Sequence, residues 1–462
     1  MRASWIVTLF AAEEIPASIV TYVAVLMFLQ CETSPAIATC YCGLLFLPWV
    51  LKSFFRRKVR QIGNFRRQIQ WLELAIVAVL MALAFSFVGG TSLPGIGHPF
   101  RMIFSFFSPQ TSIFLCLFLL SLLTAWHELS ARMYYERMLR PHLQRLYNGP
   151  KIVASQTAVV LTYGVLIMFV GALQVLYRRI PRSWTEGCFL VSGIFLIFMC
   201  YHLFVLRRPH VNDRRQRGSA MEAVRAEILV IDRIRQKPYW LCVVVSLFLL
   251  LLPQSLMFYS RVLFLLAPKT DGGLGCTIQE VGFAQGTVGV IAFSVGLLLG
   301  RLQALPAPSP VGNVHHQREG NGGKSIRTQS GNDVAQAPSL GGGWGRYLLL
   351  GLSPVVYLMM SYEPPQSLMW LSMATFLAQF FFGYGLTGII PFVRYISGDR
   401  YRNTINYLYI PLVATAFLIP LSLSGWLVGE LGFRQYFLLD VLTAPLAWLY
   451  LMIIIKYVIH KS

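Results

Sequence analysis

Ile113–Ala125 reads IFLCLFLLSLLTA, and it leads through Trp126 straight into His127-Glu128-Leu129-Ser130-Ala131-Arg132-Met133-Tyr134-Tyr135. The apolar run belongs to a membrane-crossing helix, since a bilayer core takes about 20 such residues per helix. Where a soluble cap is expected, it ends instead in ionisable and aromatic side chains. At helical spacing Glu128, Arg132 and Glu136 lie on one face. Charges at the inner end of an apolar helix are costly against lipid, so they face protein, water or a substrate path.

The rest of the chain is built to surround such a path. Its 462 residues are 56% hydrophobic and 13% charged, and apolar runs of bilayer length recur throughout. The reading is an all-α integral membrane protein with twelve transmembrane helices. They fall at about 4–30, 35–55, 71–90, 110–135, 152–177, 185–206, 238–267, 277–301, 345–361, 366–395, 404–428 and 432–457. The charged stretch 207–237 separates an N-terminal half, 1–206, from a C-terminal half, 238–462. Six spans in each half is the layout of the major facilitator superfamily. Residues 302–343, rich in Gly, Pro, Ser, Asn and Gln, read as a disordered cytoplasmic insert.

A net charge of +20 is compatible with a nucleic-acid partner, but the basic residues concentrate in alternate loops. Counting loops puts Arg101, Arg178, Arg179, Arg182, Arg261, Lys269 and Arg434 outside and the remainder of the 39 Lys and Arg inside. That asymmetry places both termini in the cytoplasm. Met1-Arg2 and Ala3–Ala12 resemble a secretory signal, but the chain continues into a further apolar stretch, so they read as the start of helix 1. The eight cysteines lie in or beside apolar runs without zinc-ligand spacing and read as small core residues. Gly320–Gly323 leads into Gly323-Lys324-Ser325, but Arg318 stands where a phosphate loop needs its first glycine, and neither this stretch nor Gly341–Gly343 follows a strand, so they do not make a phosphate loop. Neither a metal nor a cofactor is expected, and the absence of paired carboxylates with metal ligands or a nucleophile disfavours an enzyme.

Polar groups inside the spans are the candidate site residues. Glu13 and Glu14, ahead of Pro16 in helix 1, are either a proton or cation site or interfacial acids preceding a helix that starts at Pro16. His127, Glu128 and Arg132 suggest a proton relay, against the plainer reading of a helix end with an i,i+4 ion pair. Glu14, Glu128 and His127 are the coupling candidates. His202 reads as a satisfied interfacial residue. Tyr134, Arg132, Gln254, Tyr259, Gln379, Tyr384 and Arg394 are the substrate-contact candidates, because a sugar cavity needs amide, hydroxyl and aromatic partners. Gly282, Gly286, Gly289, Gly296 and Gly300 form one small-residue ridge on helix 8, where a neighbouring helix packs closely.

Several stretches resemble the muropeptide-permease (AmpG-like) and acetyl-CoA-transporter branch of the major facilitator superfamily. They are Ile15-Pro16-Ala17, Leu47-Pro48-Trp49-Val50-Leu51-Lys52, His127–Tyr135, Gly272-Gly273-Leu274-Gly275, Glu280-Val281-Gly282, Gly286–Ala292, Gln379-Phe380, Gly383-Tyr384-Gly385 and Leu423-Ser424-Gly425-Trp426. The resemblance implies a monomeric multi-pass transporter of the bacterial inner membrane that imports peptidoglycan-derived sugars with protons. Departures accompany it. The family's second helix-4 acid falls at Arg132, its helix-7 Arg and Glu at Leu251 and Gln254, and its helix-10 acid at Ala378, while Glu13 and Glu14 replace uncharged residues. The expected function is therefore proton-coupled uptake of a cell-wall sugar or muropeptide. The alternatives are a transporter of another amphipathic solute (lipid, acyl carrier or drug) and a transport-dead membrane receptor or scaffold.

Overall fold

The computed structural model describes residues 4–52, 56, 59–60, 62–88, 108–207, 240–302, 340–397 and 402–459. Among these there is no strand. The spans are α1 Ser4–Gln30, α2 Pro35–Val50, α3 Phe65–Val88, α4 Pro109–Met138, α5 Asn148–Tyr177 and α6 Ile180–Val205. The second set is α7 Trp240–Leu266, α8 Ile278–Leu302, α9 Leu340–Tyr362 and α10 Leu368–Ser397. Helical residues Arg402–Ile459 form α11 (402–431) and α12 (433–459), divided at Gly432, whose φ of 72° lies in the left-handed region open to glycine. The twelve-span expectation therefore stands. The linker 207–237 and the insert 302–343 lie almost wholly outside the described residues.

Local chemistry sets the helix starts. Ser108 caps α4 by accepting the amide of Thr111 at 3.2 Å, with Pro109 at the first helical position, where its missing N–H costs nothing. Thr277 and Glu280 form a reciprocal capping box at α8, with bonds of 2.7 and 3.3 Å.

Within the first half, α3 packs on α4 and α6, and α1 on α4 and α5; within the second, α10 packs on α8 and α9, and α7 on α11–α12. The halves meet along two seams at the end of the bundle away from the N-terminus. On the first, α2 crosses α11: Thr39 accepts the amide of Gly425 at 3.1 Å, and Gly425 has no space for a Cβ against the Pro35 carbonyl. On the second, α5 crosses α8, where Gly164 and Gly286 let the two backbones touch. A further tie runs from the Tyr259 hydroxyl in α7 to the Thr21 carbonyl in α1, at 2.9 Å.

The glycine ridge of α8 is not one surface. Gly282 and Gly286 face α5, whereas Gly289, Gly296 and Gly300 face α10 through Gln379, Phe380 and Thr387. The cause is a π-helical stretch, Gly282–Gly289. Its wider turn shifts the register, so spacing counted on an ideal helix points the two groups the wrong way. The cysteines also divide. Cys42, Cys116 and Cys188 are buried core residues, while Cys40 and Cys200 are exposed on helix surfaces.

Candidate functional site

Two polar assemblies and a cavity occupy the interior. The first assembly contains Glu13 and Glu14 of α1, which continues unbroken through Pro16, so neither acid precedes the helix. Both are half-buried, and Glu13 Oε2 has no hydrogen-bond partner. They stand within electrostatic reach of Glu128 in α4, Lys52 beyond α2 and Lys151 in α5. Lys52 is ion-paired with Glu128 Oε1, and Trp49 Nε1 donates to Glu128 Oε2 at 3.2 Å. Lys151 Nζ lies 3.9 Å from the centre of the Phe10 ring. Three carboxylates thus share two ammonium groups in a protein interior, an arrangement that can exchange partners as a proton comes or goes.

His127 does not belong to this group, although it precedes Glu128. Successive helical residues point about 100° apart, and His127 turns towards α3. There Glu73 Oε1 lies 3.4 Å from His127 Nε2 and 2.6 Å from His202 Nδ1. His202 Nε2 continues to Thr8 Oγ1 at 3.1 Å. Glu73, His127 and His202 are all fully buried. The expected His127–Glu128–Arg132 relay is therefore not formed, and His202 is a core residue, not an interfacial one. Arg132 turns to Glu136, 3.4 Å away on a partly exposed face, and Glu128 pairs with Lys52, so the plainer expectation of a Glu128–Arg132 ion pair is replaced by a pair one turn further along the helix. Glu73 escaped attention in the sequence, although an acid beside the apolar run Leu74–Val88 was the signal.

The cavity lies between the halves and is lined by α1, α5, α7, α8 and α10. It holds about 30 Å³, enough for a water molecule or two and too little for a sugar-sized solute. Tyr22, Tyr163 and Gln285 project into it, each from a π-helical stretch: Ile19–Val23, Val160–Val165 and Gly282–Gly289. Such wide turns recur at functional sites because they re-aim a side chain and loosen the backbone ladder. Tyr22 stacks on Tyr163 with ring centres 5.1 Å apart. Gln285 donates to the Tyr357 hydroxyl at 2.7 Å and accepts from Gln379 at 3.5 Å.

Among the described residues, Arg261 is the one charged side chain in this lining. It is 5% exposed, its Nε has no hydrogen-bond partner, and its guanidinium lies 5.0 Å from the centre of the Phe258 ring. A desolvated cation–π contact is worth about 2 kcal/mol, less than the several kcal/mol that burying an ion costs. Loop counting assigned Arg261 to the outside; it is instead inside α7, five residues from its end. The missed signal was an arginine within an apolar span. Glu14 also falls within electrostatic reach of Tyr22, which links the acid cluster to the cavity.

The remaining candidates separate. Gln379 lines the cavity. Gln254 is buried and donates to the Leu350 carbonyl of α9 at 2.6 Å, and Tyr259 ties α7 to α1. Tyr384 stacks on Phe380. Tyr134 donates to the Arg207 carbonyl at 2.9 Å and packs edge-on against Trp5, away from the central cavity. The side chain of Arg394 lies outside the described part of the structure. Asp440 in α12 is a third missed group, after Glu73 and Arg261: it is fully buried, and neither carboxylate oxygen has a hydrogen-bond partner among the described residues.

No protein-family model and no curated protein sequence matches the chain. Solved structures do. A bacterial homologue of the human lysosomal transporter Spinster, inward-facing and occupied, superposes with a TM-score of 0.63 at 13% identity, covering 97% of this chain and 95% of that one. The nucleoside transporter NupG gives 0.63 at 10% identity, with 97% and 98% covered. The inward-open xylose transporter XylE from E. coli gives 0.59 at 12% identity, with 96% and 94% covered. The chain has the fold of these proteins, the twelve-helix fold of the major facilitator superfamily.

Proposed function

We propose that the protein is a secondary active transporter of the bacterial inner membrane, taking up a cell-wall-derived sugar or muropeptide together with protons. Its two halves rock about the central cavity to expose it to each side in turn. The observation that carries this reading is the cavity itself, with amides, phenols and aromatic faces converging between two six-helix halves. Such a lining suits a hydroxyl- and amide-bearing ring. The similarity to sugar and nucleoside transporters supports the solute class by analogy of fold.

Coupling falls to the acid cluster. Glu128 holds Lys52, both Glu13 and Glu14 lie within electrostatic reach of that pair, and Glu14 also reaches Tyr22. A proton arriving on one acid releases an ammonium to another, and this exchange biases the halves towards one arrangement. Gln379 remains a substrate-contact assignment, joined by Tyr22, Tyr163 and Gln285, whereas Tyr384 stands outside the cavity lining. The protein works as a monomer in the bilayer with both termini cytoplasmic.

The test is uptake of labelled anhydromuropeptide and N-acetylmuramic acid by proteoliposomes, with and without an inward proton gradient. Accumulation above the external concentration is expected only with the gradient. Absence of uptake of either solute by folded protein contradicts the reading.

A further inference from the structure

We infer that Arg261 is the anion-recognition residue of the cavity and that the transported solute is a ring compound bearing a single carboxylate. This deepens the transport reading of the same cavity and rests on it. Arg261 is buried, lines the cavity and leaves Nε unbonded. Among the described residues no carboxylate lies within salt-bridge distance of it. The side chains that share its field are the phenols Tyr22, Tyr163 and Tyr357, which are neutral hydrogen-bonding groups. A guanidinium buried without an anion is costly, and its planar fork matches a carboxylate through two parallel hydrogen bonds.

The charge balance chooses among anions. One cation in the lining neutralises one negative charge, which a carboxylate supplies. A phosphate monoester brings up to two charges and calls for further cations, and none is present among the lining residues. The rest of the lining recognises the ring. Tyr22, Tyr163 and Phe258 offer aromatic faces, and Gln285 and Gln379 offer amides for hydroxyl or acetamido groups. Arg261 lies in the second half and Tyr22 and Tyr163 in the first. A solute held between them contacts both halves at once, as a rocking transporter requires.

The experiment is direct binding to detergent-purified protein, which does not depend on transport. The probes are N-acetylmuramic acid, its methyl ester, N-acetylglucosamine and N-acetylglucosamine 6-phosphate, followed by a panel of other ring carboxylates with their esters. The wild type should bind at least one acid about 10- to 100-fold more tightly than its ester, the worth of a charge-assisted hydrogen-bond pair. R261Q should erase that difference, and R261K should keep part of it. Equal binding of acid and ester by the wild type overturns the inference, whether or not the variants fold. Tighter binding of the phosphate, or no binding of any acid in the panel, overturns it as well. Transport of a neutral solute with no acid preference would sink the charge assignment and leave the transporter reading intact. Acid-selective binding without transport would do the reverse.

Discussion

Glu128→Gln is expected to abolish gradient-driven accumulation while leaving solute counterflow within about two- to three-fold of the wild-type rate. Glutamine keeps an oxygen for Trp49 Nε1, so the bond across the α2–α4 contact survives. What is lost is the charge that holds Lys52, whose side chain is only 6% exposed. Removing one partner of a buried pair costs about 3–5 kcal/mol when the other charge is stranded; here Glu13 and Glu14 lie within electrostatic reach of Lys52 and reduce that loss. The variant should therefore melt lower as well, and Lys52→Met in the same background should recover much of that loss. On the proposed mechanism, counterflow needs only the two halves and the cavity, whereas accumulation needs a proton to move with the solute. Thermal melting together with paired counterflow and accumulation assays checks the prediction. Wild-type accumulation in E128Q would remove Glu128 from coupling.

Gly286→Val is expected to reduce uptake by about 100-fold through shape alone. Gly286 sits directly against the carbonyl of Tyr163 and the Cα of Gly164, so any Cβ there meets backbone, which cannot rotate away as a flexible side chain can. Overpacking of this kind costs about 1–3 kcal/mol or more. The seam can escape it only by parting, and α5 and α8 belong to different halves. If each half moves as a body, the α2–α11 seam parts with it. Thr39, buried on that seam and bonded to Gly425, then becomes exposed. Introduced as Thr39→Cys in a background lacking the native cysteines, this position should react with a membrane-impermeant thiol reagent several times faster when Gly286→Val is also present. Unchanged labelling together with wild-type uptake would refute the close contact.

Much of the fold was legible in the sequence because membrane solvation leaves few options: an apolar run long enough to cross must be helical. Twelve such runs with a charged break after the sixth gave the two halves. The site was less legible, because three π-helical stretches turn Tyr22, Tyr163 and Gln285 inwards. Ideal spacing carries no trace of such turns, and the α8 ridge was misassigned for the same reason. His127 and Glu128 looked like partners since adjacency in sequence was taken for adjacency in space. In the structure Glu73 claims the histidine and Lys52 the acid. Arg261 was hidden by loop counting, which treats a basic residue near a span end as topogenic. Only packing reveals that α7 carries it beneath Phe258 and into the cavity. The acid cluster was half visible: Glu14 and Glu128 stood out as costly charges, but Lys52 and Lys151 read as ordinary cytoplasmic lysines.

On the proposed mechanism a proton crosses with each solute, and its movement can be followed in the medium. N-acetylmuramic acid is added, without any imposed gradient, to lightly buffered proteoliposomes carrying a pH indicator outside. The account predicts alkalinisation of the external medium that follows solute entry in time, is abolished by a protonophore and is absent in Glu128→Gln. Solute entry with no change in external pH would contradict it, leaving a transporter whose acid cluster serves its structure and not its coupling.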